Sequence, residues 1–144
     1  MITVREMDIA DYDAVIQLWC DTEGMSIRDA DSRESIDAYL KRNQGLSFVA
    51  VSGSEIVGAV LVGTDGRRGY LQHLAVLPTF RGRRIGYELV AQSVNALALI
   101  GISKTHLFVY QDNLKAQHFY EKLGWFPRDE IRMYSYNSSE NSNV

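Results

Sequence analysis

The residues whose types and spacing most clearly suggest a chemical role form a short glycine- and arginine-rich segment, Arg81-Gly82-Arg83-Arg84-Ile85-Gly86. It lies between an apolar run over Tyr70 to Val76 and a stretch with helical periodicity. The first turn of a helix leaves backbone N–H groups unpaired at the positive end of the helix dipole. Glycines there let the backbone approach an anion, and arginines add positive charge. The segment predicts a phosphate or pyrophosphate site, with a solvated basic turn as the alternative.

Two common nucleotide-binding motifs are absent from this segment. The P-loop pattern G-x-x-x-x-G-K-[ST], which marks nucleoside-triphosphate sites, does not occur in the chain. Gly82 and Gly86 are spaced G-x-x-x-G and follow the fourth predicted strand. A Rossmann dinucleotide site instead has G-x-G-x-x-G after its first strand. The sequence therefore argues against both classes of nucleotide-binding protein.

A second segment, Asn113 to Trp125, has the pattern of an amphipathic helix. Asn113 is a good N-cap, and Gly124 is placed to end the helix. The apolar residues recur at the spacing of one helix face and comprise Ala116, Phe119, Tyr120 and Leu123. By itself this pattern indicates only a helix that packs on a core.

Together the two segments resemble the GNAT superfamily of acyl-CoA-dependent N-acyltransferases. The first resembles the family signature [QR]-x-x-G-x-[GA], with matches at Arg81, Ile85 and Gly86. Arg84 stands where the family usually has its middle glycine. The second matches the pattern N-x-x-A-x-x-F-Y-x-K-x-G-[FW] at every fixed position. The resemblance covers roughly the C-terminal half, and the order of the preceding strands agrees with it.

The resemblance implies a binding site for acetyl-CoA as acyl donor. Residues Arg81 to Gly86 would offer backbone N–H groups to the pyrophosphate. Leu74, Ala75 and Val76 match the L-x-V that ends the family's fourth strand. Their backbone would pair with the pantetheine arm and polarise the thioester carbonyl. Asn113 would also contact the cofactor arm.

The implied reaction is transfer of an acetyl group to a primary amine by direct attack in a ternary complex, without a metal. Tyr120 would contact the cofactor at its sulfur and act as general acid toward the departing thiolate. A tyrosine with a pKa near 10 that protonates a thiolate near 8.5 works uphill by about 1.5 pKa units, or roughly 2 kcal/mol. The hydroxyl must therefore have a lowered pKa or stabilise the thiolate mainly by hydrogen bonding.

A general base is harder to find. Some members of the family carry a glutamate on the fourth or fifth strand, but the runs YLQHLAV and THLFVY contain no carboxylate. His73 is the only near-neutral base on the fourth strand and is the candidate catalytic base. Its apolar neighbours in the alternation, Leu71 and Ala75, favour a packed or substrate-lining histidine as the alternative. Deprotonation at pH 7 costs about 4.6 kcal/mol for a lysine-like amine and about 1.4 kcal/mol for an α-amine, so a low-pKa amine is the easier substrate.

An acidic and aromatic stretch from Trp19 to Asp37 is the candidate acceptor wall and favours a cationic amine. Its acids are Asp21, Glu23, Asp29, Asp31, Glu34 and Asp37. Only two arginines, Arg28 and Arg33, lie among them. The alternative is a solvated charged loop and helix face. The predicted substrate-binding residues are Trp19, Asp21, Glu23, Met25 and Tyr70, the last as a residue that would orient a water.

Three functions remain open at this point. A small-molecule amine acetyltransferase is the first, and a protein acetyltransferase acting on N-terminal or lysine amines is the second, because the fold hosts both. A non-catalytic acyl-CoA-binding regulatory module is the third, against which the retained Tyr120 argues. The resemblance allows a homodimer, because members of the family are often dimers.

Composition sets the broad class. The chain has 144 residues, of which 46% are hydrophobic and 23% charged, as in one globular domain with a substantial core. A net charge of −3 argues against nucleic-acid binding. No signal pattern or membrane-spanning apolar run occurs, and a single cysteine fits a reducing compartment, so we expect a cytoplasmic protein. Cys20 falls in the apolar pattern of the first helix, which favours a buried thiol.

The predicted fold is of the α/β (α+β) class, with a mixed central sheet and helices on both faces. An antiparallel meander precedes a strand-helix-strand crossover, which makes the fourth and fifth strands parallel. Strands are predicted over residues 3–6, 47–52, 55–64, 70–76, 105–110 and 133–136. Helices are predicted after caps at Asp11 and Asp31, from the basic loop to Gly101, and over Leu114 to Leu123. The spacing of apolar residues predicts the buried stripes of two of them: Tyr12, Val15, Ile16, Trp19 and Cys20 in the first helix, and Leu89, Val90, Val94, Leu97 and Ile100 in the third. Residues 1–136 form the predicted single acetyltransferase domain, and 137–144 a polar disordered tail.

Overall fold

A five-stranded mixed sheet organises residues 1–108. These residues form one of two compact units in the computed structural model, which describes all 144 residues. The strands lie in the sheet in their chain order: β1 (Ile2–Glu6), β2 (Phe48–Ser52), β3 (Glu55–Thr64), β4 (Gly69–Val76) and β5 (Thr105–His106). The first four strands are antiparallel neighbours, and β4 pairs with β5 in parallel. The predicted meander and crossover are therefore confirmed.

Helices cover both faces of this sheet, as predicted. They are α1 (Tyr12–Cys20), α2 (Arg33–Arg42) and α3 (Ile85–Leu99). On one face Ala59 of β3 lies in a buried cluster with Trp19 of α1 and Ile36 of α2. The adjacent Gly58 points the other way, because a Cβ placed on it would lie 3.1 Å from Leu89 Cδ1 of α3. The sheet thus separates a core under α1 and α2 from one under α3.

Neither of the two predicted aspartate caps accepts a hydrogen bond from the first turn of its α-helix. Asp11 directly precedes α1, but its carboxylate accepts the Asp8 N–H at 2.9 Å and pairs with Arg5 at 2.8 Å. Asp31 does not cap α2, because the Ser32 hydroxyl accepts the first-turn N–H there. Short polar side chains are all suited to the N-cap position, and at α2 the residue directly before the helix, Ser32, occupies it.

The buried stripe of α1 also differs from the prediction. Its buried residues are Val15, Leu18 and Trp19, and the Cys20 thiol is exposed. Cys20 is the last residue of α1 and lies about 100° around the helix from Trp19, so it leaves the buried face. The prediction of a buried thiol is therefore wrong.

The long helix α3 confirms its predicted end but not its whole stripe. Gly101 has φ = 88° and its N–H donates to the Ala98 carbonyl, which is the expected glycine stop. Val94 and Ile100, predicted to be buried, are 39% and 58% exposed. Leu89, Val90 and Leu97 are buried as predicted, and Ile85 and Ser93 are buried as well.

The C-terminal unit, Val109–Val144, contains α4 (Leu114–Lys122). Asn113 caps this helix as predicted, since its Oδ1 accepts the Ala116 N–H at 3.1 Å. The predicted strand over 133–136 does not form, because a strand needs a neighbour for its ladder and these residues pair with none. Likewise β5 is only two residues long, since its pairing with β4 involves Gly69 and Tyr70 alone.

None of the helices has the length and apolar character needed to cross a lipid bilayer. The extent of the acetyltransferase domain over 1–136 and the disorder of residues 137–144 stay predictions.

Candidate active site

A β-bulge interrupts β4 in the middle of the strand. The pairing register with β3 shifts by one residue between Gln72 and Ala75, so His73 and Leu74 together oppose a single residue of β3. His73 has φ = 54°, in the left-handed region that costs a non-glycine residue about 1–3 kcal/mol. The prediction of a strand over 70–76 does not include this extra residue.

The bulge decides which way His73 points. In an uninterrupted strand His73 would share the α3-facing side with Leu71. Instead its ring lies on the α1 side, where its centroid is 4.8 Å from that of Trp19. There its Nε2 lies 2.9 Å from Asp31 Oδ1, and the two side chains are 20% and 8% exposed. His73 therefore packs on Trp19 and is also paired with an acid.

Asp31 is held by several hydrogen bonds on a short helical turn, Asp29–Asp31. Besides its contact with His73, its Oδ2 accepts the Arg28 N–H at 3.1 Å, and its carbonyl accepts the Tyr12 hydroxyl at 2.6 Å. Burial by itself would raise the pKa of Asp31, but the hydrogen bonds from His73 and Arg28 outweigh it and hold the pKa below its ordinary value. The carboxylate therefore stays ionised at neutral pH and is fixed in place. The prediction that Asp31 caps a helix missed this contact.

The loop before α3 contains two residues with left-handed backbone. Gly82 has φ = 79° and Arg84 has φ = 63°, so the middle-glycine position is left-handed although an arginine occupies it. That conformation costs an arginine on the order of 1 kcal/mol. No side chain caps the first turn of α3, which leaves its N–H groups for other acceptors.

The three arginines of this loop are exposed and held by local contacts. The Arg83 guanidinium lies over the Phe80 ring at 4.9 Å, and that of Arg84 lies over the Tyr87 ring at 4.2 Å. Arg81 donates from Nε to the Val76 carbonyl at 3.1 Å. That bond ties the loop to the end of β4.

The end of β4 offers a backbone edge without a strand neighbour in the sheet. Pairing of β4 with β3 continues to Val76, whereas its pairing with β5 stops at Tyr70. The edge of Leu74 to Val76 opposite β3 therefore has no strand partner. An extended ligand can pair with such an edge as an added strand.

The second motif lies in the C-terminal unit, where Tyr120 is packed between two aromatic rings. Its ring centroid lies 5.1 Å from that of Phe119 and 5.7 Å from that of Trp125, both edge-on. Burial raises the pKa of Tyr120, and its hydroxyl makes no hydrogen bond to a protein group. The phenol is therefore a donor without an acceptor in the protein.

The predicted acceptor residues are only partly brought together. Trp19 is fully buried beneath His73, and Met25 packs on the same core. Tyr70 is half-buried, with its ring 6.0 Å from that of His106. Asp21 and Glu23 are exposed.

Comparison with known proteins identifies the family of the chain. Residues 12–125 match the acetyltransferase (GNAT) family model. The chain is 40% identical over 126 residues to an acetyltransferase of Pectobacterium atrosepticum, covering 85% of this chain and 86% of that protein. It is 33% identical over 133 residues to an acetyltransferase of Yersinia enterocolitica, covering 90% and 92%.

Solved structures show the same fold. The paia N-acetyltransferase of Thermoplasma acidophilum, in complex with coenzyme A, aligns with a TM-score of 0.77 at 21% identity, covering 85% of this chain and 88% of that one. A predicted acetyltransferase of Clostridium acetobutylicum, solved with acetyl-CoA, aligns with a TM-score of 0.77 at 21% identity, covering 94% of this chain and 96% of that one.

The mixed sheet, the free β4 edge and the basic loop before α3 define an acyltransferase fold. The chain belongs to the GNAT family of acetyltransferases. It is accordingly an acyl-CoA-dependent N-acyltransferase.

Proposed function

We propose that the protein transfers an acetyl group from acetyl-CoA to a primary amine by direct attack in a ternary complex. One observation carries the proposal: the edge of Leu74 to Val76, which has no strand partner, is followed after the short turn Pro78–Phe80 by the loop of Arg81 to Gly86. The edge suits the extended, amide-containing pantetheine arm, and the loop suits a pyrophosphate. Asn113 is proposed as a further contact to the arm.

Tyr120 is proposed as the group that assists departure of the thiolate. The amine nitrogen forms a bond to the thioester carbonyl carbon, and the carbon–sulfur bond then breaks. Because burial raises the pKa of Tyr120, full proton transfer costs more than the roughly 2 kcal/mol expected for an ordinary tyrosine. The hydroxyl therefore acts mainly as a hydrogen-bond donor to the sulfur, which finally takes a proton released by the attacking amine.

A panel of primary amines tests this function most directly. Free thiol would be measured with acetyl-CoA and small α-amines, peptides with free N-termini, and peptides whose only amine is a lysine side chain. Amine-dependent thiol release, with one acetyl group added to the amine by mass spectrometry, is the expected result. Acetyl-CoA binding without turnover on any amine would instead support a regulatory binding module.

The acceptor wall is proposed to include Asp21 and Glu23, with the neighbouring Asp29. All three are exposed; Asp29 belongs to the short turn that carries Asp31, and Asp21 and Glu23 precede that turn in the chain. Neutralising them together as Asp21→Asn, Glu23→Gln and Asp29→Asn should raise KM for a cationic amine by about 5–10-fold, since each exposed charge contributes about 0.2–1 kcal/mol. KM for acetyl-CoA should change little in steady-state kinetics.

A matched control removes three exposed acids elsewhere, with the changes Asp129→Asn, Glu130→Gln and Glu140→Gln. This variant has the same net charge and should keep the wild-type KM for the amine. Equal effects of the two triple variants would show that only the overall charge matters, and the wall would then be misplaced.

A further inference from the structure

We propose that Asp31 and His73 form a proton-accepting pair, in which His73 takes the proton of the acceptor ammonium and Asp31 positions its ring. The sequence provides no carboxylate on β4 or β5 for this task. The proposal rests on the amine acetylation proposed above and adds its missing base. His73 would be a catalytic residue, and Asp31 a positioning residue that acts through it.

The hydrogen bond between the two side chains assigns the tautomer of the ring. The Asp31 carboxylate only accepts hydrogen bonds when ionised, so the His73 Nε2 at 2.9 Å must carry a hydrogen. In the neutral ring the lone pair then lies on Nδ1. Nδ1 makes no hydrogen bond to another protein group, so it is the nitrogen left to accept a proton.

The pair is rigid before any substrate arrives. Asp31 is buried and accepts hydrogen bonds at both carboxylate oxygens and at its carbonyl. The Trp19 ring lies against the imidazole of His73. Such contacts fix the direction of the ring, as a bound partner does for a histidine base.

The arrangement of His73 and Trp19 includes two features that destabilise the folded protein and that packing alone does not explain. His73 has φ = 54°, and the Trp19 Nε1–H beside it is buried without a hydrogen-bond partner. A buried donor without a partner costs about 1–3 kcal/mol, and strained backbone clusters at functional sites. An apolar residue at position 73 in a regular strand would avoid the cost of the positive φ.

The location of the pair fits its task. His73 is adjacent in the chain to Leu74, where the free edge proposed for the pantetheine arm begins. The bulge brings His73 to the same sheet face as its neighbour Gln72, whose side chain is exposed. A base at this point lies beside the backbone proposed to hold the thioester.

The proton balance is simple. The ammonium gives one proton to Nδ1, and the neutral amine attacks the carbonyl carbon. The carbon–nitrogen bond forms, the carbon–sulfur bond breaks, and the second amine proton goes to the thiolate, giving the amide and free CoA. The imidazolium then releases its proton to solvent.

Kinetics of three variants test the proposal on an amine that the wild type acetylates. His73→Ala should lower kcat/KM for the amine by about 10²–10³-fold, and Asp31→Asn by about 10–100-fold, with the acetyl-CoA Kd within about threefold of wild type. The double variant should be no worse than His73→Ala alone, because the two residues act as a unit. Added imidazole should restore turnover to His73→Ala but not to Asp31→Asn. His118→Ala removes an exposed histidine from α4 and should behave as wild type.

A structural role would give another pattern: lower thermal midpoints, additive losses and no rescue by imidazole, and this would overturn the proposal. Wild-type turnover in His73→Ala would also overturn it while leaving amine acetylation intact. Nitrogen-detected NMR of the imidazole gives a readout that is independent of turnover. We expect the Nε2–H tautomer at His73 in the wild type and its loss in Asp31→Asn; a proton on Nδ1 in the neutral wild-type ring would contradict the pair even if amine acetylation failed for another reason.

Discussion

Replacement of Tyr120 by phenylalanine should lower kcat for amine acetylation by about 10²–10⁴-fold, the range typical of a lost proton or hydrogen-bond donor in a transition state. Acetyl-CoA affinity should change little, because the hydroxyl is proposed to act on the sulfur only as the bond breaks. The thermal midpoint should also persist. Phenylalanine keeps the ring contacts with Phe119 and Trp125, and the lost hydroxyl makes no protein hydrogen bond.

Tyr134→Phe is the matched control, since Tyr134 is 85% exposed and should tolerate the change without loss of rate. Steady-state kinetics, calorimetric Kd and thermal unfolding of both variants would be compared. A purely structural Tyr120 would instead leave turnover near normal, because phenylalanine keeps the ring contacts. A loss of kcat below tenfold would mean that water protonates the leaving group, and a wild-type rate would remove Tyr120 from the mechanism.

The second large effect is expected at the loop before α3. Gly82→Pro should weaken acetyl-CoA binding by about 10²-fold, because a hydrogen bond to a charged group contributes about 1.5–3 kcal/mol and proline removes the donor. Proline also fixes φ near −65°, whereas Gly82 has φ = 79°. The variant therefore distorts the loop as well. Isothermal titration calorimetry with acetyl-CoA measures the change in Kd.

Two further variants separate the causes of that loss. Gly82→Ala keeps the N–H, and its Cβ would meet nothing within 4 Å, so only the cost of the positive φ remains, about 1 kcal/mol. Arg84→Gly relieves a positive φ but removes a guanidinium, so binding should weaken by about tenfold if that charge meets a phosphate. Its thermal midpoint should stay near wild type, because the entropy of glycine offsets the relieved strain. Unchanged affinity in both Gly82→Pro and Gly86→Val would show that the pyrophosphate binds elsewhere.

Local signals account for the parts of the fold that could be predicted from the sequence. The bounds of β3 follow from its β-rich composition between turn residues, and the Asn113 cap and Gly101 stop follow from side-chain and backbone preferences at helix ends. The basic loop was located for the same reason, since glycine and arginine before a helix indicate an anion site. The left-handed backbone found at Arg84 agrees with the glycine usual at that position.

The Asp31–His73 contact could not be predicted in this way. The two residues are 42 positions apart, and Asp31 has the local context of a helix cap. The bulge that turns His73 toward Asp31 adds one residue to a strand that is predicted as continuous. The bulge depends on tertiary packing, and the pattern of residues in β4 does not indicate it. The predictions that Cys20, Val94 and Ile100 are buried are wrong because apolar residues also occur at the edges of the buried helix face, where the spacing does not separate buried from exposed positions.

The bulge in β4 also constrains how the length of this strand can change. Deleting one residue between Gln72 and Ala75 would restore an even ladder with β3, yet it would invert one half of the strand relative to the other. Either Tyr70 and Gln72 or Ala75 would then change sheet face, although no side chain had been replaced. Insertions in the neighbouring turn, residues 65–68, carry no such parity condition. A graft of this strand into another scaffold must therefore transfer the odd residue together with the histidine, because the position of the imidazole depends on the count of residues as much as on their identity.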